Sequence, residues 1–321
     1  MTGYIGRRLI EGIITLIALS FVVFGSVHLA GDPARFLLPI SAEHDETVYE
    51  EQKARLGLDK PFIVQYWNFL RRAVILDFGN SFTERRPVQE ILKERIPATV
   101  HLAVAGMILA VGIGVPLGII SAVKRDTLLD RICKAFAIFG MAVPQFWIAI
   151  MLIILFAGYW GWLPAYGRGD TQGWIPEWSQ IPNMFRHLML PASVLALAII
   201  AAIMRLARSA MLEVLDTDYV KFAQVKGMGD RVVIWKHAAR NALIPVITFG
   251  GISLAGLLNG SVVVEVVFAW PGVGLMLLDG VLSNNYPQVL GAIMVSGAAY
   301  ILTALVVDIL YGYADPRVRL N

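Results

Sequence analysis

The sequence predicts an all-α polytopic membrane protein with six transmembrane helices, and three observations carry that reading. Charged residues make up only 16% of the 321-residue chain and hydrophobic ones 57%, whereas soluble domains carry roughly 25% charged residues. Six long intervals are free of Lys, Arg, Asp and Glu, and the basic residues of the short loops between them fall almost entirely on one side. The excess apolar surface must face lipid, which excludes a disordered chain, a collagen-like repeat and a soluble enzyme with an ordinary core. A single cysteine, Cys133, excludes an intrachain disulfide and a thiolate-rich zinc site. A net charge of +3 does not suggest a nucleic-acid partner.

A helix crossing a ~30 Å hydrocarbon core needs about 20 mostly apolar residues. The intervals 12–30, 96–123, 135–167, 187–204, 241–264 and 280–307 supply them. The third is longer than one span needs and ends in Tyr159, Trp160, Trp162 and Tyr166, an aromatic cluster suited to a headgroup layer, so its helix is expected to stop near Tyr159. The fourth is the shortest, but flanking Arg side chains can snorkel.

Short-loop Lys and Arg set the orientation. Arg7, Arg8, Lys124, Arg125, Arg131, Lys134, the basic residues between Arg205 and Arg240, Arg317 and Arg319 lie on one side; Arg168 and Arg186 alone lie opposite. Both termini are therefore expected to be cytoplasmic. The chain divides into an N-terminal transmembrane helix (1–31), an external, periplasmic segment (32–95) and a five-helix core (96–321) with a cytoplasmic segment at 205–240. The first stretch reads as a retained helix and not a cleaved signal, because its apolar run is long and His28 stands where a small residue is wanted. Outside, residues 43–72 read as amphipathic and partly helical, with a break at Leu56-Gly57-Leu58-Asp59-Lys60-Pro61.

Reacting groups are sparse, and no catalytic residue is assigned. There is no GxxxxGK[ST] loop to cradle nucleotide phosphates, and His28, His44, His101, His187 and His237 are scattered with no HExxH pattern, so no metal site is expected. Gly251-Ile252-Ser253-Leu254-Ala255 nearly spells a nucleophile elbow, but it lies in a helix and reads as small residues at a helix contact. Ionisable residues near spans are limited to Glu11, Glu265 and Asp308. A proton- or sodium-coupled carrier usually needs such groups near the midplane. Glu265 and Asp308 read as helix-end charges, at the headgroups or paired with Arg, with a direct transport role as the alternative.

The segment 205–240 far exceeds the roughly two to eight residues of an ordinary helix connection. Thr217 or Asp218 can cap a short helix, Tyr219 to Lys226 continue it, and Gly227 can end it in a left-handed turn. Such a helix is too short to be stable alone and needs packing. Tyr219, Phe222 and Ala223 can share one apolar face for a partner, leaving Lys221 and Lys226 free.

The run Asp218-Tyr219-Val220-Lys221-Phe222-Ala223-Gln224-Val225-Lys226-Gly227, followed by His237-Ala238-Ala239-Arg240-Asn241-Ala242-Leu243-Ile244-Pro245-Val246, resembles the coupling segment of ABC importer permeases, in particular the first permease subunit of the dipeptide, oligopeptide and nickel branch. Arg7-Arg8-Leu9, Gly31-Asp32-Pro33, Asp77-Phe78-Gly79, Pro144-Gln145-Phe146-Trp147, Phe268-Ala269-Trp270-Pro271-Gly272-Val273-Gly274 and Asp308-Ile309-Leu310-Tyr311-Gly312 with Asp315-Pro316-Arg317 agree with the same branch, in order. The general pattern of Glu-Ala-Ala before the glycine is replaced by Lys221-Phe222-Ala223, which puts the missing glutamate's role in doubt.

The resemblance implies a type I (MetI-like) permease in a bacterial inner membrane. It implies a second permease subunit, two ATPase subunits that hold ATP and Mg, and an extracytoplasmic solute-binding protein. Asp218, Tyr219, Phe222, Ala223, Lys226, Gly227, Arg240 and Asn241 would form the ATPase-coupling segment. Pro116 and Pro144 are candidate bends; Ser253, Asn259 and Ser261 could offer hydrogen bonds to cargo; Glu265, Trp270 and Pro271 flank an external hairpin or re-entrant turn at the pore mouth. Peptides lead as cargo, with nickel chelates and short sugars as the other members of the branch. The rivals are a stand-alone secondary carrier or channel, and an intramembrane hydrolase that would depend on Ser253.

Overall fold

The computed structural model describes residues 2–30, 34, 45–171, 173–258 and 261–314, and among them regular structure is helical apart from one isolated antiparallel bridge between Asn80 and Pro87. The helices are α1 (Thr2–Ala30), α2 (Glu46–Leu56), α3 (Phe62–Val74), α4 (Val88–Val123), α5 (Leu128–Ala142), α6 (Gln145–Leu152, continued by a π-helical stretch Ile153–Tyr159), α7 (Ile181–Leu215), α8 (Asp218–Val225), α9 (Asp230–Ala242, π-helical over Val233–Ala238), α10 (Ile244–Leu258), α11 (Val262–Val267), α12 (Val273–Leu282) and α13 (Tyr286–Ala314). Gly31-Asp32-Pro33, Asn259 and Asp315-Pro316-Arg317 lie outside the described residues.

Among the described residues four helices are long and apolar enough to cross a bilayer: α1 over Ile5–Leu29, α4, α7, and α13 over Tyr286–Ile309. The other two spans are bent pairs, α5 with α6 at 104° and α9 with α10 at 51°. The first break has a local cause. Pro144 lacks an N–H, and its ring pushes Val143 into extended backbone (φ −85°, ψ 131°), so the helix stops and restarts at Gln145. Pro116, the other candidate bend, lies inside an unbroken α4. The third span ends at Tyr159 as expected, with Trp160 and Trp162 stacked 4.5 Å apart beyond it.

Several helices outrun their uncharged intervals, because a charge on a helix can be paired there and need not mark its end. α4 begins at Val88 and carries Glu94, which takes two hydrogen bonds from Arg86 at 2.6 and 2.8 Å. α7 continues to Leu215, so residues 205–215 are its last turns and not part of a loose connection. Residues 280–282 close α12, and the last span starts only at Tyr286.

The core is the contact between α4 and α7. Gly106, Ala110, Gly114 and Gly118 recur every four residues on α4 and face α7. A Cβ on Gly114 would lie 2.9 Å from Ile203 Cγ2, and one on Gly118 only 2.6 Å from the Met204 carbonyl oxygen. In lipid, where apolar burial does not drive helices together, this close approach supplies the packing. Further glycines seat α13: Gly251 meets Val307, which bears out the contact read for that stretch, and Gly12 on α1 meets Ile301. Arg8 pairs with Asp308 at 3.1 Å, the Arg partner read as one option for that aspartate.

The segment between α1 and α4 is built onto the bundle. Its two helices break at Gly57 (φ 69°) as the sequence suggests. Tyr66 on α3 reaches the buried Ser20 hydroxyl of α1 at 2.8 Å, within a cluster of Phe24, Phe62 and Phe69. The buried Asn285 side chain donates to Ser81 Oγ at 2.7 Å and Thr83 Oγ1 at 3.0 Å and accepts from the Phe82 N–H at 3.2 Å, pinning the end of the segment to the α12–α13 turn.

Gly118→Val should push branched carbons into the α7 backbone and destabilise the fold by about 1–3 kcal/mol. The check is the thermal unfolding of the purified protein, and an unchanged transition would refute the close-packed seam.

Candidate functional site

Two places collect the residues that the sequence marks: the short helix α8 at one end of the bundle, and the hairpin formed by α11 and α12. α8 sits where a partner could reach it. Val220 and Ala223 are buried with Ile119 and Ala122 of α4, Met211 of α7 and Val233 and Ala238 of α9, and this contact stabilises a helix too short to stand alone. The opposite face is bare, with Tyr219 43%, Phe222 59% and Val225 85% exposed. The expected face of Tyr219, Phe222 and Ala223 is therefore corrected: Ala223 turns inward as part of the seat, and Val225, which the pattern missed, joins the outward stripe.

The ends of α8 follow from local chemistry. Thr217 holds the N-cap position in extended backbone, but its hydroxyl donates back to the Val214 carbonyl at 2.5 Å and does not cap the helix. At the other end, Gly227 adopts φ 77°, its N–H reaches the Gln224 carbonyl at 2.9 Å, and the Met228 N–H reaches Ala223 at 3.3 Å. This paired bond pattern needs the left-handed residue that glycine accepts at least cost. Lys226 lies over the Phe222 ring at 4.5 Å. Asn241 donates to the Tyr219 hydroxyl at 2.7 Å, tying α8 to the base of the bent fifth span, while Arg240 stays exposed.

Beside this seat is a charge cluster that the sequence did not reveal. Asp130 on α5 is fully buried; Arg208 of α7 donates to both its oxygens at 2.8 and 3.0 Å, Ser121 of α4 donates at 2.6 Å, and Lys134 pairs at 2.8 Å. One carboxylate thus clamps three helices where α8 docks. Only the Asp130–Lys134 spacing of four was visible in sequence; the other partners come from distant segments.

At the hairpin, Glu265 is fully buried and makes no ion pair with Arg among the described residues. Its carboxylate accepts from Thr99 Oγ1 at 3.0 Å and from the Leu275 N–H at 2.9 Å, in the first turn of α12, where unpaired amides favour an anion. A Cβ on Gly272 would lie 2.5 Å from the carboxylate, so glycine there is a space requirement. Trp270 is also fully buried and donates to the Ala98 carbonyl at 2.9 Å, while Pro271 is half-buried. The turn 268–274 is thus a packed hairpin, braced from within by Glu265 and Trp270.

Val143, next to Pro144, packs in the same cluster as Val264, Phe268 and Trp270, so the break in the third span leans on this hairpin. The Gly167 N–H donates to the Phe268 carbonyl at 2.8 Å, and the adjacent Arg168, buried, donates to His101 Nδ1 at 2.7 Å. Burial alone lowers the affinity of that guanidinium for its proton. Ser253 is half-buried on α10, and Ser261 precedes α11 without a side-chain cap bond. Among the described residues no cluster of three or more His, Cys, Asp or Glu could hold a metal ion.

Comparison with known proteins covers nearly the whole chain. Residues 114–320 match the binding-protein-dependent transport system inner membrane component, and residues 1–103 match the N-terminal region of binding-protein-dependent transport system membrane components. The dipeptide transport system permease protein DppB of Alkalihalophilus pseudofirmus is 36% identical over 334 residues, spanning 99% of this chain and 100% of its own. The glutathione transport system permease protein GsiC of Escherichia coli K12 is 38% identical over 320 residues, spanning 99% of each. Among solved structures, a chain of the inward-facing MetNI methionine ABC transporter aligns with a TM-score of 0.52 at 17% identity, covering 68% of this chain and 94% of that one. That likeness is one of fold.

Two substitutions test the buried carboxylates. Asp130→Asn removes the charge opposite Arg208 and should cost about 3–5 kcal/mol; adding Arg208→Met should recover part of the loss in a double-mutant cycle of thermal stability. Glu265→Ala leaves the Thr99 hydroxyl and the Leu275 N–H without their acceptor, each buried orphan costing about 1–3 kcal/mol. A Glu265→Ala protein that melts with the parent but transports poorly would instead make Glu265 a residue of the path.

Proposed function

We propose a function from one premise: the chain belongs to the family of binding-protein-dependent transport system inner membrane components. It is a multi-pass membrane permease, one pore-forming subunit of an ABC importer. The cargo is short peptides, supported by relatives named for dipeptide and glutathione transport at 36% and 38% identity over almost their full lengths. A second permease subunit supplies the other half of the pore, two ATPase subunits holding ATP and Mg drive it, and a solute-binding protein delivers cargo. The basic residues around α8 support a cytoplasmic side for that end and for both termini, with α2 and α3 outside.

The observation that carries the mechanism is the bare stripe of Tyr219, Phe222 and Val225 on a helix whose other face is anchored. The stripe seats in a groove of an ATPase subunit. When the two ATPases close on nucleotide, α8 moves with its seat, and the Tyr219–Asn241 hydrogen bond carries the movement to α9 and α10. The Asp130 clamp holds α4, α5 and α7 as one body, so the displacement is not lost in bending. Coupling then requires only that the ATPase contact α8 differently in its two states. Ser253 and Ser261, on or beside the helices that move, offer neutral hydrogen bonds to varied peptide backbones.

Phe222→Asp should abolish co-purification of the ATPase subunits and nucleotide-driven uptake while the melting transition stays put, because the ring is exposed. Ala223→Glu should also lose the ATPase but with a lowered transition, because it unseats α8 from within. Retained ATPase binding in the Phe222→Asp protein would rule out α8 as the docking surface.

A further inference from the structure

We propose that the groove enclosed by α1, α3, α4 and α13 is a phospholipid site, with an acyl chain in the groove and the headgroup phosphate beside Arg71. The cavity measures about 510 Å³ and every residue lining it is apolar, among them Leu16 and Ile17 on α1, Val74 and Leu76 at the end of α3, and Val295 and Ala298 on α13. The α1 and α13 residues fall in the middle of the spans Ile5–Leu29 and Tyr286–Ile309, so the groove is continuous with the surface those helices turn to the bilayer.

α3 supplies the upper end of the site. α2, its neighbour in sequence, is rich in charge, whereas α3 exposes Ile63 and Trp67 and then three consecutive apolar residues, Val74 (79%), Ile75 (68%) and Leu76 (51%). Water would penalise such a run, and a helix lying in the headgroup–acyl boundary would present one. Leu76 holds φ 60°, left-handed backbone that a leucine rarely adopts, at the point where its side chain lines the groove. Arg72 is bound by Asp77 at 2.8 Å, but Arg71 makes no ion pair among the described residues and lies 5.1 Å over the Trp67 ring. A basic and aromatic pair above an apolar slot matches the chemistry of a phosphate above an acyl chain. In the orientation proposed above this is the outer leaflet; the site itself does not depend on that orientation.

The test uses the complete importer, reconstituted in bilayers containing phosphatidylglycerol with a diazirine in one acyl chain. After irradiation, adducts should concentrate on residues 13–17 and 294–302, and most should be lost on Ala298→Trp or, if that variant fails to assemble, on Val295→Phe. Adducts on other exposed apolar faces should persist, and Arg71→Ala should remove any preference for phosphatidylglycerol over phosphatidylcholine. The proposal is overturned if the groove is labelled no more than those other faces, or if filling it changes nothing. It is equally overturned if a photoreactive residue at position 298 crosslinks to the second permease, which would make the groove a subunit contact.

Discussion

The close approach of α4 and α7 is the contact on which the rest of the bundle depends. Inside a bilayer, lipid tails compete with any apolar side chain for an apolar surface, so helices associate where small residues let backbones meet and dispersion contacts multiply. Gly106, Ala110, Gly114 and Gly118 provide that surface, and the α7 residues opposite them, Ile203, Met204 and Ala207, are all buried. Every other element of the core is laid against this pair or against α13.

At one end of the seam the packing becomes polar, and there rigidity and movement meet. Asp130 gathers hydrogen bonds from α4, α5 and α7, and isolated ions of either sign in that position would be costly. A short helix rests beside it on Val220 and Ala223 and offers its aromatic side outward. The arrangement resembles a lever on a fixed block, with Asn241 as the link into the span that bends at 51°. At the hairpin a second buried carboxylate, Glu265, plays a different part, satisfying amides at the start of α12 and holding the turn closed. Both carboxylates are held inside the fold by hydrogen bonds from distant segments.

How much of this was legible in the sequence depended on whether the relevant signal is local. The number of spans, the stop at Tyr159, the break at Pro144 and the left-handed end at Gly227 were all legible, since each follows from a few adjacent residues: an apolar run, an aromatic belt, a missing N–H, an absent Cβ. Helix ends marked by charge were misread. Arg205 closed the fourth uncharged interval, yet the helix runs on to Leu215, and Arg208 on its added turns is paired with Asp130. Ala223 was assigned to the docking face for a similar reason: residues 219, 222 and 223 neighbour one another on a helix, and spacing alone does not say which edge of the stripe is covered.

By itself, then, the sequence determined the solvent of each segment, since transfer free energies act residue by residue, along with the local geometry that proline and glycine impose. Its motifs also identified the family, which the comparisons bear out. Only the tertiary structure decided which charges are partners and which faces are free. Ser121, Asp130 and Arg208 come from three helices, Thr99 and Glu265 stand far apart in the chain, and the polar tether from Asn285 to Ser81 joins its two halves. Electrostatic and packing energies depend on distance in space, and a pattern along the chain fixes that distance only within a few turns of helix.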